Sequence, residues 1–457
     1  MSDRVSRVLA ASAIGTPWER VPPETIHEVR RRILDSLGAA IAALDEGAPT
    51  AARRYALGRP GASTVWGTGA RADAEAAGFA NGVAVRSLDL NDTYLSREPL
   101  HPSDAIAALL ALAEARDLPS RELLRAIAIA YEIGASLCDA ASLRAHGWDH
   151  VAFLAIAVAC GAGAMLGLDA AGIEHAISLA TVPHAPMRRT RSGQLSMWKG
   201  AAAAGAAKDA VQATLLVEAG MDAPEAPFEG TFGFVQQLLG GEGFDLEPLR
   251  RLERVEPPVR ILDTHVKAWP VEYHAQSAVD AALRLRADLG DPSRIGRIQI
   301  ETFRAAHEII AADPEKWDPR TRETADHSLP YVVCAALQDG EVTRSTFELA
   351  RIRRPDTLEL VRDRTTVEED RVLTARYPGE TPNRITVTTT DGLRLVHEVA
   401  HPHGHARDPM TDAELVAKFR SNVAGRIDED RAARIEEAVW SLDREGGLGA
   451  LTRELGA

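Results

Sequence analysis

The chain has 457 residues, 45% of them hydrophobic, and a net charge of −14. That length provides for two or three domains and ample surface to bury a core. The negative balance argues against nonspecific nucleic-acid binding, and any site for an anionic ligand must gather its own cations.

After Pro22-Pro23, the residues Ile26, Val29, Ile33, Leu37, Ile41 and Leu44 recur at helical spacing and predict a helix over 24–44. Further helices are predicted over 72–88, 104–116, 120–138, 151–166, 171–180 and 199–219. Alternating apolar and polar runs are scarce in this half. Val151 to Leu168 carries no charge over 18 positions, near the minimum for a membrane span. It is rich in Ala and Gly rather than Leu and Ile, so it reads as a buried helix, and no membrane partner is expected.

The pattern changes near Glu256-Pro257-Pro258. A helix over 272–288 leads into a strand over 297–304, where Ile298 and Ile300 alternate with polar residues. A helix is predicted over 328–337. Arg384 to Thr390 and Leu393 to Val399, joined by Asp391-Gly392, read as a β-hairpin. Thr411 to Glu414 is a capping box ahead of Leu415 to Phe419, and Asp428 to Leu442 is a last helix. The expected fold is mainly α: a large all-helical domain over 1–265 and a smaller, lid-like α+β domain over 266–404 with a short antiparallel sheet.

Several segments carry groups suited to chemistry. Asp89-Leu90-Asn91-Asp92-Thr93-Tyr94 precedes His101-Pro102-Ser103-Asp104. Asp89 and Thr93 would share a face if the segment were helical. Ser103 is a suitable N-cap for the apolar run Ala105 to Ala115, and a helix start suits an anion. His150 stands ahead of the apolar 151–166 helix, a place where a lone histidine is often structural. Arg188, Arg189 and Arg191 lie in a loop that runs into Lys199 at a helix start, a plausible carboxylate clamp. Lys267, Glu272 and His274 crowd a loop-to-helix junction, although Glu272 also suits an ordinary first turn. Asp326, His327 and Tyr331 form a further group, in which Asp326 or Ser328 could simply cap a helix.

The HPHGH run, with His401, His403 and His405, suggests a metal site only weakly, and HExxH, GxxxxGK[ST] and GxGxxG motifs are absent. Cys138, Cys160 and Cys334 are far apart without CxxC spacing, which speaks against a disulfide framework and an iron–sulfur cluster. The opening MSDRVSRVLAAS has no signal-peptide pattern, so a cytoplasmic location is expected.

The segment LDLNDTYLSREPLHPSD resembles the active-site segment of the 2-methylcitrate dehydratase (MmgE/PrpD) family. Four more blocks match in order: GWDHVAFLAIAVACGAGAMLGLD, SMWKGAAAAGAAKDAV, KAWPVEYHAQSAVDAAL and DHSLPYVVCAALQDGEV. The likeness runs from about residue 5 to about residue 425. It implies a cofactor-independent hydro-lyase acting on a small di- or tricarboxylate, such as 2-methylcitrate or citrate. The family also holds cis-aconitate decarboxylases and iminodisuccinate epimerases, and a noncatalytic tricarboxylate-binding protein is the alternative outside the enzymes. By the same resemblance, His101, Lys199 and Lys267 bind carboxylates, while Asp89 and His150 serve proton transfer. Thr93 belongs with them. Arg188, Arg191, Glu272, His274 and Tyr331 are substrate-binding candidates. Glu272 follows the dehydratase form where some decarboxylases carry histidine. The resemblance further implies a homodimer, no metal, and a 405–457 tail that packs back on the first domain.

Overall fold

In the computed structural model, which describes residues 3–444 and 446–457, the protein is mainly α. The predicted helices stand close to their expected bounds as Pro23–Ala43, Ala74–Ser87, Ser120–Ala140, Val151–Met165, Ala170–Thr181 and Trp198–Glu218. Every residue of Val151–Met165 is buried, which accounts for its uniformly apolar composition. No helix among the described residues is long and apolar enough to cross a membrane.

Small residues let these helices approach closely. A methyl group added at Gly82 would stand 2.9 Å from the Ala204 Cβ, and one at Gly200 would stand 3.5 Å from the Ser87 Cα. The second contact sets the end of Ala74–Ser87 beside the start of Trp198–Glu218. Two chemically rich segments therefore meet because alanine and glycine leave room for them to do so.

One large hydrophobic core gathers residues from Val5 to Ile261 together with Phe419, Val423, Ile435, Val439 and Leu451 of the tail. A methyl at Gly38 would lie 3.2 Å from the Phe419 ring, so the tail helix Asp412–Val423 rests directly on Pro23–Ala43. Its capping box is formed, with Thr411 and Glu414 each accepting from the other's backbone.

A second core spans Val271 to Val399. Here Gln276–Leu289 and Leu329–Asp339 accompany a four-stranded sheet in the order Thr365–Glu369, Ile295–Thr302, Asn383–Thr389, Arg394–Val399. The predicted hairpin is present, with Ile385 opposite His397. The Thr365–Glu369 edge strand pairs parallel to its neighbour and was not foreseen, because TTVEE is half exposed and too polar to alternate visibly. A two-stranded hairpin, Ser63–Val65 with Ala70–Ala72, was likewise unforeseen; Gly67 and Gly69 turn it at positive φ.

Two backbone pairings hold the segment after residue 264, one to the loop that carries Asp89 and one to the turn that follows the hairpin. Thr93 and His265 exchange hydrogen bonds of 2.9 and 2.7 Å, and the Val266 N–H donates to the Gly404 carbonyl at 2.9 Å. Gly404 has φ 96°, and a Cβ there would meet the Val266 oxygen at 2.3 Å, so only glycine fits. These bonds aim Lys267 at the loop that carries Asp89.

Candidate active site

Asp89 is the hub of a buried charge cluster. The chain leaves the Ala74–Ser87 helix and turns at Asp89 with φ 54°, a left-handed conformation that aspartate tolerates better than most residues. The segment is not helical, so the helical face expected for Asp89 and Thr93 does not form. Instead the turn points the Asp89 carboxylate into a ring of donors. Arg86, three residues earlier, pairs with it. Lys267 Nζ donates to the carboxylate at 2.7 Å and to the Asp89 carbonyl at 2.9 Å. Lys199 Nζ lies 3.2 Å away and His327 Nε2 3.5 Å away. Lys199 is 2% exposed and Lys267 fully buried. Burial and the neighbouring Arg86 hold both ammonium groups well below the ordinary lysine range.

The Asp92 carboxylate accepts from the Ser103 N–H at 3.0 Å and from the Tyr131 hydroxyl at 2.7 Å. Ser103 is therefore not the helix cap predicted for it. A short turn over Pro102–Ala105 comes first, and the helix begins at Ile106. Asn91 donates to the Ser103 hydroxyl at 2.9 Å and to Asp104 at 2.8 Å. This network hangs His101 inside the cluster. His101 Nδ1 lies 2.7 Å from the Asp92 carbonyl and 3.1 Å from the Thr93 hydroxyl, and Arg86 approaches its Nε2 at 2.8 Å. A guanidinium only donates, so Nε2 is the acceptor and Nδ1 bears the proton. His101 is thus neutral, and burial beside Arg86 keeps it well below the usual histidine range.

His150 meets His101 edge to face at 5.7 Å between ring centres. Its Nδ1 lies 3.3 Å from Asp149, a carboxylate held by Arg191 through two contacts of 3.0 Å. Arg191 also reaches His150 Nε2 at 3.5 Å. Burial and Arg191 push His150 down to about 3, so it is a neutral imidazole at ordinary pH.

Asp326 and His327 approach from the second core at 2.5 Å from each other. They precede the helix Leu329–Asp339, which Ser328 caps by accepting from the Tyr331 N–H at 3.2 Å. Glu272 pairs with His274 at 2.7 Å and lies within the electrostatic reach of His327 and Lys267. Gln276 braces the Lys267 loop by accepting from the Ala268 and Trp269 N–H groups, each at 3.1 Å. Two predicted residues stay apart from the hub. Tyr331 is sealed in the second core, its hydroxyl donating to the Thr346 carbonyl at 2.6 Å. Arg188 sits at the rim, where Glu98 and Asp149 act on it. Arg86 and Gln276 were missed, since neither stands out by local pattern from an ordinary arginine near a helix end or glutamine at a helix start.

Among the described residues, Asp89, Asp326 and His327 form the one group whose ligand atoms lie within 4.8 Å of one another. The charge of Asp89 is already met by Arg86, Lys199 and Lys267, which leaves this group poorly suited to a cation. The HPHGH histidines do a different job. His405 stacks on His265 at 4.1 Å and meets His401 at a tilt, 4.5 Å between ring centres. His265 Nδ1 accepts the Ala406 N–H at 3.1 Å and His405 Nδ1 the Arg407 N–H at 3.0 Å, so both rings are neutral parts of a loop closure.

The MmgE/PrpD N-terminal domain model matches residues 7–247 and the MmgE/PrpD C-terminal domain model residues 269–444. A 2-methylcitrate dehydratase of Cupriavidus necator is 32% identical over 411 residues, covering 84% of this chain and 82% of the relative. A 2-methylcitrate dehydratase of Escherichia coli K12 is 31% identical over 413 residues, with the same coverage. A cis-aconitate decarboxylase of Mus musculus is 27% identical over 487 residues, covering 100% of this chain and 94% of the relative. Fold and relatives together define an enzyme of the lyase kind, similar to carbon–oxygen lyases of the dehydratase type. The chain belongs to the MmgE/PrpD family.

Proposed function

We propose that this enzyme dehydrates 2-methylcitrate, or a close tricarboxylate such as citrate, without a cofactor. The observation that carries the reading is the meeting of Arg86, Lys199, Lys267 and His101 around Asp89 in an otherwise acidic molecule. Dehydration breaks a C–H bond next to a carboxylate and a C–O bond on the neighbouring carbon. The electron pair of the first becomes the new double bond, and hydroxide leaves as water once protonated. Negative charge grows on the carboxylate beside the acidified carbon, and buried ammonium groups stabilise it strongly.

In this reading Lys199 and Lys267 bind the substrate carboxylates, and the heightened acidity of their ammonium groups suits one of them to protonate the leaving hydroxyl. His150 takes the substrate proton, a step that requires the bound substrate's negative charge to offset Arg191 and raise the low-lying imidazole. Its Nε2 is held only by a 3.5 Å contact, whereas the His101 Nε2 is engaged at 2.8 Å. Asp149 stands behind Nδ1 to stabilise the imidazolium that results. Asp89, enclosed by three cations, organises them and is a poor base. The two cores act as a helical body and a lid with the substrate between them.

We also take the cytoplasmic enzyme to be a homodimer. A groove of about 900 Å³ beside the 183–198 segment is bordered by exposed Met187 and Trp198, a face suited to a second copy.

The purified protein should convert 2-methylcitrate to a product with the ultraviolet absorbance of a conjugated double bond, and citrate more slowly. A methyl changes pocket binding by only about 1–3 kcal/mol, so citrate should still react. Carbon dioxide release from cis-aconitate with no dehydration of either citrate would move the assignment to the decarboxylases. Tricarboxylate binding without any turnover would make the protein a binder.

A further inference from the structure

The C-terminal tail reaches the active-site loop through one side chain. Lys418 stands on the tail helix Asp412–Val423, and its side chain is only 10% exposed. Its ammonium group donates to the Asp35 carboxylate at 2.5 Å and to the Leu90 carbonyl at 3.1 Å. Leu90 directly follows Asp89, whose own carbonyl accepts from Lys267 Nζ at 2.9 Å. Two successive carbonyls at the left-handed turn are thus each held by an ammonium group, one from the cluster and one from the tail. Asp35 is buried on Pro23–Ala43; among the described residues Lys418 is its one side-chain hydrogen-bond donor, and its second oxygen has no partner. Phe419, next to Lys418, packs against Gly38 of the same helix. One turn earlier, Leu415 shares a small apolar cluster with Val266, the neighbour of Lys267. A single tail helix braces both segments that converge on the hub.

A non-glycine residue at positive φ persists only where its surroundings hold it, and the direction of its side chain follows the peptides on either side. We propose that Lys418 is a positioning residue for the reaction. By fixing the Leu90 carbonyl it holds the Asp89 turn, and through the Asp89 carboxylate it holds the ammonium groups of Lys199 and Lys267 against the substrate. The inference rests on the dehydratase reading, in which those two lysines bind the substrate carboxylates. Lys418 acts at one remove, from the far side of the turn. Displacing reacting groups by about 1 Å lowers rates by about a hundredfold, so a brace of this kind bears directly on turnover.

The test compares variants of the full chain by steady-state kinetics with 2-methylcitrate and citrate and by thermal melts. Lys418→Met should lower kcat by about ten- to a hundredfold. It should also lower Tm, because Asp35 is left as a buried charge without a partner. Lys418→Arg keeps the charge and the donors and should recover part of kcat. Asp35→Leu combined with Lys418→Met removes the stranded charge, and exchanging a buried ion pair for apolar side chains is often neutral or stabilising. This double variant should regain the wild-type Tm yet keep the low kcat, since the Leu90 carbonyl still lacks its ammonium donor. A kcat near that of the wild type in Lys418→Met would overturn the inference. So would a kcat that follows Tm across the variants, recovering with it or staying low with it, which would make the pair purely structural. Either result, with a wild type that dehydrates its substrate, leaves the functional reading standing. A wild type that dehydrates neither 2-methylcitrate nor citrate would remove the reading and the inference together.

Discussion

Lys199→Ala is expected to lower kcat/KM for 2-methylcitrate by roughly a hundred- to a thousandfold while leaving the fold intact. The loss follows from geometry. Lys199 points at Asp89 from 3.2 Å, yet its ammonium makes no well-aligned hydrogen bond among the described residues, so its donors are free for an anion. Removing it takes away a buried charge that stabilises the growing negative charge of the transition state. The fold survives because Asp89 keeps two other cations, Arg86 and Lys267. Losing one ammonium from a crowded cationic cluster also relieves repulsion and desolvation. Steady-state kinetics beside a thermal melt check both halves. Near-normal turnover in a folded variant would count against the site.

The second large effect is a loss of stability on mild acidification. His101, His150, His265, His327 and His405 are buried and held below the ordinary histidine value, His150 to about 3 and His405 to about 4. Burial is the first cause in each case. Like charge is the second, from Arg86 on His101, Arg191 on His150 and Lys199 on His327. The unfolded chain takes up protons at these sites near pH 6.5 while the folded chain refuses them. Their contribution is therefore complete above about pH 6.5 and drains away as pH falls toward the folded values.

Some carboxyls work in the other direction. Glu98 is pushed up to about 7 and Asp104 to about 6 by burial, and Asp92 and Asp326 are raised too. These groups add stability as pH falls through their raised values. The five histidines protonate more completely between pH 6.5 and 5.5, so the balance tips toward loss. Urea denaturation should show the unfolding free energy dropping by at least about 1.4 kcal/mol over that unit, the equivalent of one net proton. A flat or rising stability would mean that the histidines are not held neutral.

Much of this was legible before any coordinates. Helices whose apolar residues recur every three to four positions were readable because burial of one face enforces that period, as in Pro23–Ala43. The motif containing Asp89 and His101 was readable through its resemblance. What sequence did not give is direction. Asp89 and Thr93 lie four apart, which suggested one helical face, but a single residue at positive φ turned the chain and made Asp89 a hub. Ser103 looked like a cap, and its N–H went instead to a carboxylate 11 residues earlier. Arg86 was indistinguishable from any arginine near a helix end until three groups converged on it. Such long-range outcomes depend on which elements pack together, and local pattern holds little of that information.

The most direct test of the account is a crystal structure of the protein with tricarballylate bound. Ligand carboxylate oxygens should lie about 3 Å from the ammonium groups of Lys199 and Lys267, with His101 and His150 facing the same molecule. A ligand seated elsewhere, such as the groove beside Trp198, with the Asp89 cluster closed and unchanged, would contradict it.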